Sequence, residues 1–243
     1  MKRFASIDRT LEELFHRDAS IPAVESLLAA ETDEWTISGP LGRYLASLVI
    51  DIKPRSLLEF GAGRSSLILA TALDHVGGGR LTSVEHQPSY CRDPWMAIRQ
   101  LPSVDAELCE SELRLRVTRH GLMYGYTNLA TRLAARAPYD FVLIDAPPGN
   151  YGRDSPMYDV YGFLAEDALI VMDDASRQSE QTAIRRWLAT FPGLRIAASN
   201  MTYGRGTVVL VHSGDKRRRF SGRSVLGTAH DGLHRLLYGL RTK

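Results

Sequence analysis

The 243-residue sequence is poor in cysteine, with Cys91 and Cys109 alone. Two cysteines make neither a disulfide framework nor a metal-ligand motif, and they fit a reducing, cytoplasmic setting. The chain also lacks charge of one sign. Its 30 lysines and arginines face 28 acids, a net charge of +2, too small a bias to imply a nucleic-acid partner. No apolar run approaches the length of a membrane span. The start, Met1-Lys2-Arg3-Phe4, lacks the apolar stretch of a secretory leader. Internal repeats and long low-complexity segments are missing as well. What is present is an ordinary globular composition, 44% hydrophobic and 24% charged. The length suffices for one large α/β domain with a full core.

Residues 1–55 read as helical. Thr10 precedes Leu11-Glu12-Glu13-Leu14-Phe15 as an N-cap. Residues 22–30 form a second short helix. Ser38-Gly39-Pro40 opens a third, with Leu41, Tyr44, Leu45, Leu48 and Val49 on one face. Pro54 closes it. From Ser56 onward strand and helix patterns alternate. The reading places strands at 56–60, 81–85, 113–118, 140–145, 168–173, 194–199 and 206–212. It places helices at 64–76, 88–100, 126–136, 156–164 and 178–190. Phe141-Val142-Leu143-Ile144 and Ala168-Leu169-Ile170-Val171-Met172 are apolar on both faces, as central parallel strands covered by helices must be. The expectation is an α/β fold: a doubly wound, seven-stranded, mostly parallel sheet with N-terminal helices. Only a short turn-rich stretch separates the last two strands, so the final one is expected antiparallel. The organisation expected is a helical cap (1–55), a cofactor-binding core (56–215) and a basic C-terminal extension (216–243), within one compact unit.

Ligands of such sheets sit beyond the carboxyl ends of the strands, and here those ends carry acids. The first ends in Glu59-Phe60-Gly61-Ala62-Gly63-Arg64-Ser65-Ser66 and feeds an apolar helix. The second ends in Glu85-His86, the fourth in Asp145-Ala146-Pro147-Pro148-Gly149, the fifth in Asp173-Asp174. Together they predict an acidic crevice. The glycine turn offers backbone N–H groups at a helix N-terminus. An acid at the end of the second strand grips ribose hydroxyls, in dinucleotide enzymes and others alike. An NAD-dependent oxidoreductase is therefore one reading, and a non-catalytic cofactor-binding or interaction protein another. Glu59 would repel a pyrophosphate, and the third glycine of the dinucleotide fingerprint is replaced by Ser66.

The four strand-end segments, in order and spacing, resemble class I S-adenosylmethionine-dependent methyltransferases, in the branch acting on small-molecule and glycan hydroxyls. The segments are 58–66, 83–86, 139–149 and 169–175. The resemblance spans residues 38–212 and implies roles by position. Glu59, Gly61, Ala62, Gly63, Ser65 and Ser66 would surround the methionine part of S-adenosylmethionine. Glu85 would hold the ribose and His86 would lie beside the adenine edge. His120, after the third strand, would add adenine contacts, with Tyr124 near the site. Asp145 would sit by the sulfonium and, with Asp173, act in catalysis. In catechol-type members of this class an Asp after strand four and an Asp-Asn pair after strand five hold magnesium. Asp145, Asp173 and Asp174 stand at the similar positions, oxygen ligands suited to a hard divalent cation. The alternatives are that Asp173 caps the following helix and that Asp145 orients the acceptor or acts as a base.

The loop 149–156 follows the fourth strand, and Tyr151 and Arg153 are candidates there for gripping the acceptor; the N-terminal helices would cover the crevice with Trp35 and Tyr44 as aromatic walls, core packing being an equal reading for Tyr44. Residues 224–240 space their apolar residues as an amphipathic helix, after the basic run Lys216-Arg217-Arg218-Arg219. Packing on its own domain or in a homodimer is the preferred reading of that helix. Weak binding to a membrane surface is the other.

Overall fold

Period-two alternation along the strands builds two hydrophobic layers. In β1 (Ser56–Phe60) Leu57 packs into one layer while Leu58 and Phe60 pack into the other. Phe141 and Leu143 of β6 (Tyr139–Ile144) divide from Val142 and Ile144 in the same way. The structure, a computed structural model, describes residues 11–15, 21–29 and 37–241. Trp35 and the Thr10 cap lie outside those residues.

On the first layer, α1 (Pro22–Ala29) and α2 (Gly39–Ile52) pack against α3 (Arg64–His75) and its neighbour α4 (Arg92–Ile98). Ser38 caps α2, its hydroxyl accepting from the Leu41 N–H, with Pro40 in the first turn. The second layer holds α5 (Leu129–Arg136), α6 (Ser155–Val160) and α7 (Gln178–Thr190), with Trp187 fully buried at its centre. The remaining strands are β2 (Gly79–Glu85), β3 (Val104–Glu110), β4 (Leu113–Thr118), β5 (Gly121–Tyr126), β7 (Leu164–Met172), β8 (Leu194–Asn200) and β9 (Thr207–His212). Seven of these nine strands form one sheet in the order β3-β2-β1-β6-β7-β9-β8. Pairing is parallel from β3 to β7, and β9 runs antiparallel to both β7 and β8. The doubly wound, mostly parallel sheet is the expected one, antiparallel last strand included.

The third strand is where the sequence reading fails. It expects residues 113–118 in the sheet, but β3 (Val104–Glu110) fills that position at the sheet edge. β4 pairs instead with β5 in a separate antiparallel hairpin. β3 alternates apolar residues with Asp105, Glu107 and Glu110, and acids are poor strand formers except on a wetted edge. The predicted helix 126–136 begins only at Leu129, because Tyr126 ends β5 and is fully buried. Helix 88–100 divides into a 3-10 turn, Pro88–Cys91, and α4. Helix 156–164 is α6 plus a 3-10 turn, Tyr161–Phe163, and Leu164 already belongs to β7.

The last helix, α8 (Gly222–Arg241), lies along β5, where Gly232 meets the Leu122 backbone and Thr228 is buried. Leu226, Leu233 and Leu237 remain exposed on its outer side. Among the described residues no helix is long and apolar enough to cross a membrane.

The loop before β9 is zipped onto the end of β7. The N–H groups of Ala175 and Ser176 donate to Gly206 O and Arg205 O at 2.8 and 3.1 Å. Gly206 has φ +87°, and a Cβ there would stand 2.4 Å from Ser176 N, so only glycine closes this seam. A Gly206→Ala substitution is expected to cost about 1–3 kcal/mol of stability, measurable as a lowered urea midpoint with unchanged slope.

Candidate functional site

Strand register sets one row of chemistry. Phe60 stands opposite Val84 and Ile144, and Ile144 opposite Met172. The next residue of each strand is therefore level with the others: Glu85, Gly61, Asp145 and Asp173. Three backbone bonds extend the ladder through that row. Gly61 N–H donates to Val84 O at 2.9 Å, Asp145 N–H to Phe60 O at 3.0 Å and Asp173 N–H to Ile144 O at 3.1 Å. A cleft of about 220 Å3 opens above it, lined by Gly61, Ala62, Gly63, Ser65, Glu85, His86, Asp145, Asp173 and Asp174, among others.

Gly61 adopts φ +99°, and a Cβ on it would press on Ala146 Cβ at 3.0 Å. A Cβ on Gly63 would meet nothing within 4 Å, so the loop backbone is open to the cleft beside the α3 N-terminus. Glu85 holds this loop from beneath. Its carboxylate accepts from Ala62 N–H at 2.9 Å, His86 N–H at 2.7 Å and Gln87 N–H at 2.6 Å. Burial works against its charge, but the His86 side chain and these N–H groups outweigh burial and hold the pKa below the usual range. A glycine cradle bare of side chains, a helix N-terminus and a buried, charged acid fit the methionine and ribose portions of S-adenosylmethionine.

Glu59 does not reach the cleft. The period of β1 turns it into the α3 layer, fully buried. There Oε2 accepts from the hydroxyls of Ser66 and Ser83, and Ser66 Oγ also accepts from Gly63 N–H at 3.0 Å. Oε1 has no partner. Burial pushes the Glu59 pKa up to about 7 against the pull of the surrounding hydroxyls. Glu59 and Ser66 thus brace the loop from below.

The acidic crevice is corrected to a mixed one. Asp145, Asp173 and Asp174 do converge, with ligand oxygens within 4.8 Å of one another. Arg153, expected to grip an acceptor, is instead buried among them. Its Nη2 donates to Asp145 Oδ1 at 3.0 Å and to Asp174 Oδ2 at 2.8 Å. Arg177 pairs with the same Asp174 oxygen at 2.8 Å, and Arg205 approaches the other at 3.7 Å. Arg64, Arg177 and Arg205 also line the cleft. Burial raises the pKa of Asp145 well above the usual range; Arg153 opposes this rise, and Asp173 and Asp174 add to it. Asp173 is raised by burial and by Asp174. The three carboxylates have the chemistry of a divalent-ion site, but a guanidinium fills the space between two of them. Arg153 therefore competes with any ion for Asp145 Oδ1 and Asp174 Oδ2.

Three more placements differ from the expected site roles. His120 follows β4, not a strand of the main sheet. Its ring packs 4.7 Å from that of Tyr158, outside the cleft lining, and burial together with Arg119 and Arg218 pushes its pKa down to about 4. Tyr151 packs edge-on against His86 and Tyr124, at 6.2 and 5.0 Å between ring centroids. That places it beside the Glu85 end rather than over the acids. Tyr44 is a core residue stacked on Phe15 at 4.1 Å. Sequence reasoning missed Ile37, Gln87, Tyr90, Arg177 and Arg205 in the lining. Of these, only Arg177 carried a signal, four residues past Asp173.

Residues 58–175, which contain the whole row, match the family model described as a methyltransferase domain. No curated protein sequence matches the chain. Solved structures align over most of its length. The O-methyltransferase TomG from Streptomyces achromogenes, involved in tomaymycin synthesis and solved with S-adenosylmethionine, is 20% identical; the alignment covers 88% of this chain and 98% of that one, at a TM-score of 0.56. An O-methyltransferase from Bacillus cereus, solved with S-adenosylhomocysteine, is 17% identical over 87% and 99%, at 0.54. The Podospora anserina methyltransferase PaMTH1 is 14% identical over 88% and 96%, at 0.55. At these identities the likeness is one of fold. The fold is the one these S-adenosylmethionine-dependent methyltransferases share, and residues 58–175 match a methyltransferase domain, which favours that reading over the dinucleotide one.

The buried Glu59 gives a pH-dependent prediction. Its folded pKa lies above its ordinary value of 4.5. Its contribution to stability is therefore full below about pH 4.5 and lost as pH rises through 7. Glu59→Gln, which cannot ionise, should remove that decline. The stability difference between wild type and variant should change by about 3 kcal/mol between pH 4.5 and 8, read from urea unfolding at each pH. Parallel curves would contradict the raised pKa of Glu59.

Proposed function

We propose that the enzyme methylates a hydroxyl oxygen of a small-molecule acceptor. The observation that carries this reading is the level row of Glu85, Gly61, Asp145 and Asp173 across the carboxyl edge of the sheet. It sets a cofactor cradle and a pair of carboxylates side by side.

The glycine loop and the α3 N-terminus would hold the amino-acid portion of the cofactor, and Glu85 and His86 its adenosine portion. When bound there, S-adenosylmethionine supplies a methyl group activated by a sulfonium. The protein's own tasks are alignment and proton uptake. Asp173 lines the cleft, and among the described residues no ion pair engages its carboxylate. An oxygen of its carboxylate would take up the proton that the acceptor hydroxyl gives up as the methyl group leaves the sulfonium sulfur for the acceptor oxygen. Asp145, tied to Arg153, shapes the floor between the two ligands. The acceptor, whether an aromatic alcohol or a sugar, enters over Asp145 and Asp173, where Arg177 and Arg205 stand at the mouth.

Two substitutions test the division of labour. Asp173→Asn is expected to lower kcat by roughly 100- to 10,000-fold while calorimetry shows cofactor affinity within about threefold of wild type. Glu85→Ala, which removes a charged acceptor of several hydrogen bonds, should weaken S-adenosylmethionine binding by roughly 10- to 100-fold. No binding of S-adenosylmethionine or S-adenosylhomocysteine to the wild type would sink the reading. Methyl incorporation into amines but not alcohols, from labelled cofactor over an acceptor panel, would sink its O-methyl part.

A further inference from the structure

We propose that Arg153 is the resident cation of the Asp145–Asp173–Asp174 cluster, and that the enzyme binds and needs no divalent metal there. The inference deepens the methyltransferase reading, resting on it for the acceptor's place but not for the cation's.

Hydrogen-bond capacity is the first argument. A guanidinium has five N–H donors, and Arg153 spends four of them on the loops after β6 and β7. Nε donates to Pro147 O at 3.2 Å, Nη1 to Asp173 O at 2.9 Å, and Nη2 to Asp145 Oδ1 and Asp174 Oδ2. Two of these bonds go to main-chain carbonyls, so the group is held by the backbone as well as by charge. Little donor capacity is left for an acceptor. Arg153 is a positioning residue.

Lone pairs are the second argument. Asp174 Oδ2 already takes both Arg153 and Arg177, each at 2.8 Å. Magnesium would require a ligand oxygen at about 2.0–2.1 Å with a lone pair directed at it. Asp174 is left with Oδ1 alone to offer an ion; among the described residues it accepts no hydrogen bond, and the Arg205 guanidinium stands 3.7 Å from it.

Burial is the third. The side chains of Arg153 and Asp174 are 4% and 3% exposed. An ion entering between the carboxylates would have to break both Nη2 bonds and would bring a second cation against a buried guanidinium, which is strongly unfavourable.

A consequence for the acceptor follows. A metal site selects acceptors with two adjacent oxygens, because chelation occupies two coordination positions. A locked guanidinium with no spare face imposes no such demand. The arrangement therefore does not require a second hydroxyl next to the reacting one on the acceptor.

The test uses the wild-type chain and Arg153→Met, with magnesium and manganese as the probes. The wild type is expected to show no saturable manganese uptake by electron paramagnetic resonance up to millimolar concentration. Its Tm should move by less than about 1 °C in 10 mM magnesium, and any methyl transfer should be unaffected by EDTA. Arg153→Met leaves three carboxylates without their central cation. It should unfold at lower temperature and regain about 3 °C or more with added divalent ion, as ligand linkage requires. Saturable manganese uptake by the wild type, abolished in Asp173→Asn, would overturn the proposal even if the methionine variant fails to fold. So would an Arg153→Met protein that folds and gains nothing from either ion. S-adenosylmethionine titrated in parallel keeps the two readings apart: cofactor binding with manganese uptake refutes only the resident-cation proposal, and no cofactor binding refutes the methyltransferase site.

Discussion

The site depends on one constraint, the register of four parallel strands at their carboxyl ends. β2, β1, β6 and β7 stop level with one another, so the residues that follow them are neighbours without any long-range loop folding. A slip of one residue in any pairing would turn the following side chain to the other face of the sheet. Central strands apolar on both faces tolerate no such slip, because each residue belongs to a different core layer. The same packing that stabilises the sheet therefore aligns Glu85, Gly61, Asp145 and Asp173. The site's position follows from core packing rather than from the loops that decorate it.

Concentrating acids at one edge has a cost in electrostatic repulsion and desolvation. The protein meets it differently at the two ends of the row. At the Glu85 end, backbone N–H groups and His86 surround one carboxylate and keep it charged. At the Asp145 end, three carboxylates share a cluster and an arginine is threaded between two of them. Glu59 is a third solution: a carboxyl group buried with hydroxyl donors only, whose pKa rises until it ionises near neutrality.

What the sequence made legible divides along the same line. The sheet, the glycine turn and the row of acids were readable because apolar runs and the acids that end them are local signals. The third strand was not, since Val104–Glu110 carries acids on an exposed edge and resembles a loop more than the β4 segment does. Pairing choice decides between two such segments, and pairing is not a local property. Glu59 was located in the chain but not in the fold. Being next to a ligand loop in sequence implies a role beside the ligand, whereas strand alternation points the side chain away from it. Arg153 is the same lesson at the other end. An arginine in a polar loop reads as a surface group. Nothing in its neighbours announces that the loop turns back to deliver it under three carboxylates.

That loop also joins the two ends of the crevice. The N–H groups of Tyr151 and Gly152 both donate to Pro148 O, which makes a tight turn. Tyr151 emerges from it against His86, while Arg153, two residues on, reaches Asp145 and Asp174. Behind the turn stands the C-terminal helix: Arg235 lies against Gly152, whose φ of +77° and missing Cβ admit it, and approaches Asp154 at 3.5 Å. Arg186 of α7 binds Asp154 at 3.0 Å and Asp231 of α8 at 2.7 Å. The chain's last element is thereby tied to the loop that carries the guanidinium. A segment that composition alone would treat as a basic appendage instead buttresses the one turn that touches both halves of the site. Loss of that support would be felt first at Arg153, because a side chain fixed by four hydrogen bonds tolerates little movement of the backbone that carries it.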